Sequence, residues 1–367
     1  MDMYITHYET AATNNVELMD DAFYPQRVHW FPDTYARVGT GMVHAAHALV
    51  GKVVNARLAA YLKDRPVSGK TGFILAGGSQ SWGSGTLKNP NKTRLTYKYK
   101  MPTLALTQIY AGRLAQGLGR FDHVAVDASA CASSLKAMFD AQNLIRFYGF
   151  DRVVIVAAED AVCDFVLEFF GELGVSKKPD DPTMPSAFDS TNNGFYVGQG
   201  ACAVVVESER ACKTTPKAVF RGAYVAAEES TNAVGQREDG QGFVRAIQGA
   251  MDAAGCTASQ IKVVKTHGTG TQSNNMAERT ALLSTIPEFV ATSYKPRIGH
   301  TLAASGLLET CLLLDDMAKG TVPEILNRTE PDSTFLSAPV STPDGLILSL
   351  AAGMGNVYAA SIFDRSV

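Results

Sequence analysis

No apolar run in the 367-residue chain approaches the roughly 20 consecutive residues that a membrane-spanning helix needs, so no span is expected. Basic charge is not in excess either. The 33 Lys and Arg stand against 36 Asp and Glu, a net charge of −3, which argues against the basic footprint of a nucleic-acid binder. The opening MDMYITHYET has no basic segment followed by an apolar stretch, so it does not read as a secretory signal, and a cytoplasmic location is expected. The six cysteines (Cys131, Cys163, Cys202, Cys212, Cys256 and Cys311) never form C-x-x-C and never cluster with histidine at metal-ligand spacing. No metal site follows from them, and disulfides are not expected in a cytosolic chain. Most read as small buried apolar residues, and Cys202, in GACAVVVES, as a strand residue.

What is present is a large apolar fraction, 46 %, in a chain long enough for two domains or one duplicated unit. Strands are expected at Gly72–Leu75, His123–Val126, Arg152–Ala157, Ala201–Val206, Val219–Ala223, Val263–Thr266 and Leu346–Ala351. Helices are expected at Thr103–Gln116, Ser133–Tyr148, Gly240–Ala254, Asn275–Leu283 and Ser305–Met317. Alternating strands and helices imply βαβ units. VVIVAA and AVVVES lack a period of two, as befits strands covered on both faces. A faint symmetry is visible. VAVDASACASSL and VVKTHGTGTQSNNMAERTAL each run from strand through special residues into helix, on either side of the polar join RACKTTPK. The expected division is 1–209, with the cysteine, and 210–367, with two histidines. Gly83–Lys100 reads as a polar, basic excursion, either a solvated loop or a partner surface.

Four stretches could carry chemistry. Cys131 sits where a strand turns into a helix among small residues. The helix dipole and free N–H groups there would lower a thiol pKa, though a buried structural cysteine fits as well. In KTHGTGTQSNNMAE, His267 precedes two glycines that permit close approach to a ligand, with Thr269 and Thr271 offering hydroxyls; the alternative is a plain Gly-rich turn. In YKPRIGHTLAASG, Lys295 precedes His300 by five positions, before a helix start. In AAGMGNVYAASIF a strand breaks at Gly-Met-Gly and resumes, a sign of close backbone approach. Together these supply a nucleophile, two imidazoles, a lysine and backbone donors, a set suited to carbon–carbon bond formation through a thioester.

The order A-C-A-S-S, H-G-T-G-T, K-x-x-x-G-H and a C-terminal G-x-G resembles the elongating Cys-His-His β-ketoacyl-ACP synthases. The resemblance implies an α/β thiolase-like fold with duplicated βαβαβαββ halves in an α-β-α-β-α core, and a dimer, homo- or heterodimeric. It implies that Cys131 takes the acyl chain, that the N–H groups of Cys131 and Met354 form an oxyanion hole, and that His267 and His300 stabilise the malonyl enolate. Lys295 would act through Glu278, and Thr269 and Thr271 would bind the phosphopantetheine arm. No cofactor of the chain's own is implied, because the phosphopantetheine arrives on an acyl carrier protein. The absence of a second cysteine in GMGNVY sets a biosynthetic thiolase aside, and His300 sets aside a Cys-His-Asn initiating enzyme.

The departures are specific. Met354 stands where a phenylalanine gate is usual, Gln199 where a glutamate is, and Asn275 where an aspartate is, as if acidic groups behind the site were lost while Glu278 stayed. They resemble a specialised branch, such as aryl-polyene or other polyketide synthases. A chain-length-factor-like partner subunit is the alternative, and a Cys131–His267 hydrolase a weaker third. Lys88, Lys92, Arg94, Lys98 and Lys100 are candidates for a carrier-protein surface, and Met101, Thr103 and Leu104 for setting chain length.

Overall fold

The computed structural model describes residues 2–12, 53–54, 56–77, 107–159, 161, 164–177, 183–229 and 234–365. Cys163, the basic excursion and the 101–104 segment lie outside them, as does the start of the helix expected from Thr103.

The strands are β1 (Met3–Ala12), β2 (Lys70–Ala76), β3 (His123–Asp127), β4 (Phe150–Glu159), β5 (Gly200–Ser208), β6 (Ala218–Ala227), β7 (Ile261–Lys265), β8 (Val290–Thr292), a short β9–β10 hairpin (Thr321–Val322, Val340–Ser341), β11 (Leu346–Gly353) and β12 (Val357–Asp364). The helices are α1 (Ala56–Asp64), α2 (Thr107–Leu118), α3 (Ser133–Tyr148), α4 (Asp164–Glu172), α5 (Gln241–Ala254), α6 (Gln272–Thr285), α7 (Lys295–Ile298) and α8 (Ser305–Ala318).

Ten strands form one sheet in the order β3-β2-β4-β5-β1-β6-β12-β11-β7-β8. Read inward from each end, the two sets of five match. β2 lies parallel to β3 and β4, as β7 does to β8 and β11; β5 is antiparallel to β4 and β1, as β12 is to β11 and β6. The duplication therefore appears in the strand order, with α4 an addition to the first half.

Layering follows from where apolar residues fall. Every residue of β4 and of β5 is buried, so both faces are covered. On one face lie α3 and α8, and each touches strands of both halves, which makes them the middle layer. The outer layers are α1 and α2 over the first half, and α5 with α6 over the second. The fully buried strands also hold a charged pair: Arg152 Nε donates to Glu207 Oε1 at 2.7 Å across β4 and β5.

The repeat extends to the helix starts. A 3₁₀ turn, Ala130–Ala132, feeds α3, and another, Leu302–Ala304, feeds α8. Each opens on a non-glycine residue with positive φ, Ala130 at 49° and Leu302 at 44°. Such backbone is held only where its surroundings over-determine it. The two starts brace one another, with Leu307 N–H donating to Ser134 Oγ at 3.0 Å.

Candidate active site

Cys131 is the middle residue of the first 3₁₀ turn and is 6 % exposed. Asp127, at the end of β3, anchors the approach. Its carboxylate accepts Ser129 N–H at 3.0 Å and Lys136 Nζ at 2.8 Å. The far wall is the end of β11. A Cβ on Gly353 would stand 2.5 Å from the Ser129 carbonyl and 3.3 Å from Ala132 N, so only glycine lets this strand reach the cysteine turn. Met354 follows at once and packs in the same apolar cluster as Cys131, Phe170 and Phe195.

His267 ends the segment after β7. Gly268 and Gly270 both take positive φ, 51° and 78°, and a Cβ on either would collide with neighbours, so this turn requires glycine twice. Glu278, on the inward face of α6, fastens the turn by accepting His267 N–H at 2.6 Å, Gly268 N–H at 2.9 Å and Asn274 Nδ2 at 2.9 Å. His300 is held by backbone, its N–H donating to Tyr196 O at 2.7 Å and its carbonyl accepting Gly198 N–H at 2.9 Å. The two imidazoles lie 5.6 Å apart between centroids, nearly perpendicular, and Phe195 meets His300 edge to face at 4.8 Å.

Cys131, His267, His300, Thr269, Thr271 and Met354 line one cavity of about 410 Å³, floored by Phe170 and Phe195. The structure thus brings these sequence-predicted residues to one place. Thr271 immediately precedes α6, and its hydroxyl lies 3.0 Å from that of Thr269.

Two expectations are corrected. Lys295 does not engage Glu278. Its Nζ donates to Glu309 Oε1 at 2.9 Å, because α8 carries Glu309 up between α7 and β7 while Glu278 is committed to the His267 turn. The Cys131 thiol is not acidified. Burial pushes it up to about 12, and the Lys295 ammonium and the cysteine's own backbone N–H offset this only in part. Gln199 and Asn275 are neutral, and the buried carboxylates that stand near the thiol are Glu309 and Glu159. Asn275 serves a backbone role, its Oδ1 accepting Phe188 N–H at 3.0 Å where Phe188 adopts a φ of 57°.

The electrostatics favour neutral partners. Burial, followed by the Lys295 ammonium, holds both imidazoles well below the usual histidine range, and Lys265 adds to it. Burial raises Glu278 above the ordinary carboxyl value against the pull of its backbone donors. Sequence reasoning overlooked Lys265, Glu309 and Glu159. The available signal was a charged residue abutting or interrupting an apolar run: VVK in β7, LLETCLLL in α8, VIVAAE in β4.

A duplicated mixed sheet whose inner-helix starts meet beside a cysteine and two histidines defines a thiolase-like fold. Family models agree in detail: the β-ketoacyl synthase N-terminal domain matches residues 32–211, and the C-terminal domain matches 217–329. The chain belongs to the β-ketoacyl synthase family.

It is 27 % identical over 292 residues to the tetracenomycin polyketide synthase ketoacyl synthase alpha subunit of Streptomyces glaucescens, covering 73 % of this chain and 65 % of that one. It is 27 % identical to the chloroplastic 3-oxoacyl-[acyl-carrier-protein] synthase II of Arabidopsis thaliana, covering 75 % and 52 %. The chain therefore spans less than two thirds of the length of these curated relatives. Among solved structures, a type II polyketide acyl-carrier protein in complex with its ketosynthase bound to the hexaketide aligns over 100 % of this chain and 99 % of that one, with a TM-score of 0.78 and 18 % identity. The ishigamide ketosynthase/chain length factor aligns equally fully, with a TM-score of 0.76 and 19 % identity. No helix among the described residues is long and apolar enough to cross a membrane.

Proposed function

We propose that the chain is a β-ketoacyl-[acyl-carrier-protein] synthase that extends an acyl group held on Cys131 by two carbons from malonyl-carrier protein. The observation that carries this reading is the convergence of Cys131, His267, His300 and Met354 on one cavity. In the first half-reaction the Cys131 sulfur attacks the acyl thioester carbonyl. The carbonyl oxygen takes the negative charge, facing the N–H groups of Cys131 and Met354. The carrier's pantetheine sulfur then leaves with the thiol proton. A neutral imidazole can accept that proton in passing, which a thiol raised to about 12 requires.

In the second half-reaction the malonyl thioester enters with its carbonyl against His267 and His300. Carbon dioxide departs, and its bonding electrons become an enolate held by the two imidazole N–H groups. The enolate carbon attacks the acyl-cysteine carbonyl, the carbon–sulfur bond breaks, and the departing Cys131 thiolate takes a proton from water as the β-ketoacyl-carrier protein leaves. Thr269 and Thr271 line the cavity wall, and their hydroxyls bind the pantetheine arm in this reading. Lys295 acts from behind, through Glu309. The carrier protein is the partner in both steps, with a second ketosynthase-type chain completing a dimer. The pathway, fatty-acid-like or polyketide, aryl-polyene included, is decided by which acyl groups load.

The test is intact mass spectrometry of the protein mixed with carrier-protein thioesters from acetyl to long saturated, polyene and aryl-capped chains. A gain of one acyl mass, absent in Cys131→Ala, is expected, and the acyl groups accepted define the substrate class. No gain with any thioester overturns the catalytic reading in favour of a partner subunit shaping another chain's pocket.

A further inference from the structure

Behind the histidines lies a cluster that the reaction as written does not use in full. Lys265 is the last residue of β7, two positions before His267, and is completely buried. Its Nζ donates to the Leu350 carbonyl at 2.7 Å and to Glu309 Oε2 at 3.3 Å. The other oxygen of the same carboxylate, Oε1, receives Lys295 Nζ at 2.9 Å. Two ammonium groups therefore share one carboxylate at a site closed to solvent. A buried charge without full compensation is costly, and an apolar side chain of similar length would avoid that cost.

The cluster also joins the pieces of the site. Lys265 belongs to the strand leading to His267, Glu309 to α8, Lys295 to α7 just ahead of His300, and Leu350 to the strand that ends beside Met354. The charged and titratable groups facing Lys265 are Glu309 from α8, Lys295 from α7 and Glu278 from α6. Those facing the imidazoles are Lys295, Lys265 and, for His267, His300. The Nδ1 atoms of His267 and His300 are buried and find no hydrogen-bond partner among the described residues, so an imidazolium N–H there would point at no acceptor.

We propose, resting on the ketosynthase reading, that Lys265 is a positioning residue for decarboxylation. By occupying half of Glu309 it leaves the Lys295 charge under-compensated toward the histidines. That excess positive charge stabilises the enolate and keeps both imidazoles neutral. Without Lys265, Glu309 neutralises Lys295, and the pocket loses its net charge at the moment the enolate forms. The Lys265 ammonium is itself lowered by burial to about 8, so its charge is present below that pH and fades above it.

Two variants separate charge from tether. Lys265→Met removes both, while Lys265→Gln, one atom shorter, keeps a hydrogen-bond donor on the Leu350 side and removes the charge. The primary measurement is malonyl-carrier-protein decarboxylation from pH 6 to 9.5, with Cys131 acylation as a control for folding. In both variants kcat is expected to fall about tenfold or more, with KM nearly unchanged and acylation retained. The wild-type loss of rate as pH rises through about 8 is expected to vanish in the variants. Wild-type kcat and pH profile in Lys265→Gln would overturn the proposal, whatever the methionine variant does. If the wild-type protein neither acylates nor decarboxylates, the ketosynthase reading fails by itself. A ¹³C-lysine titration, which needs no substrate, then decides for Lys265. One resonance titrating far below the other lysines and missing from Lys265→Gln supports the shared-carboxylate cluster, and its absence overturns it.

Discussion

Gly353→Ala tests how the nucleophile turn and the β11 end make one site. The added Cβ would lie 2.5 Å from the Ser129 carbonyl oxygen, against about 3.3 Å for the closest ordinary carbon–oxygen contact. The two backbones must separate by roughly 0.8 Å, the shortfall between those distances. Both are main chain, so no side-chain rotation relieves the overlap. Overpacking of this kind costs about 1–3 kcal/mol of stability. The functional cost is larger, because Cys131 and Met354 sit on opposite sides of the forced gap. Misplacement of about 1 Å, or loss of one oxyanion donor, lowers turnover about 100-fold. The assay is the rate of acyl transfer to Cys131, followed by intact mass, beside a urea midpoint. Gly117→Ala is the control. Nothing lies within 4 Å of a Cβ at that helical position, so stability is expected to rise about 0.5–1 kcal/mol with acylation unchanged. A Gly353→Ala protein that acylates at the wild-type rate would refute the reasoning.

Three further outcomes are expected. Alkylation of Cys131 by iodoacetamide at pH 8 should run about 1,000-fold slower than for a free thiol of pKa 9.0 and rise tenfold per pH unit to about pH 11; a plateau below pH 9 would contradict burial as the dominant influence. Glu278→Gln replaces one of two acceptor oxygens under the His267–Gly268 turn with a donor. It should lower decarboxylation at least about tenfold and stability by about 1–3 kcal/mol, read by malonyl-carrier-protein turnover and denaturant unfolding. Glu207→Ala strands buried Arg152 and should lower unfolding free energy by about 3–5 kcal/mol, while acylation per folded molecule stays constant.

The sequence by itself determined the strand-turn-helix units and singled out the residues that line the cavity. The helix expected at Ser133–Tyr148 is found there, the strands expected at Gly72, His123 and Leu346 lie inside observed ones, and the one expected at Val263 overruns β7 by one residue, because apolar runs, glycine punctuation and small-residue helix starts are local signals. Short β8, and α1 and α4, were not anticipated. Three residues of β8 carry too little pattern, and its pairing with β7 exists only in the assembled sheet.

Tertiary structure alone decided which carboxylate meets which lysine, and how acidic the thiol is. Glu278 and Glu309 are equally plausible partners for Lys295 along the chain. Only the packing of α8 between the halves selects Glu309. A helix start argues for a lowered thiol pKa wherever it occurs, but the depth at which Cys131 is buried, set by both halves closing over it, reverses the sign. Charge compensation and desolvation depend on distances between elements far apart in sequence, and no local pattern encodes them.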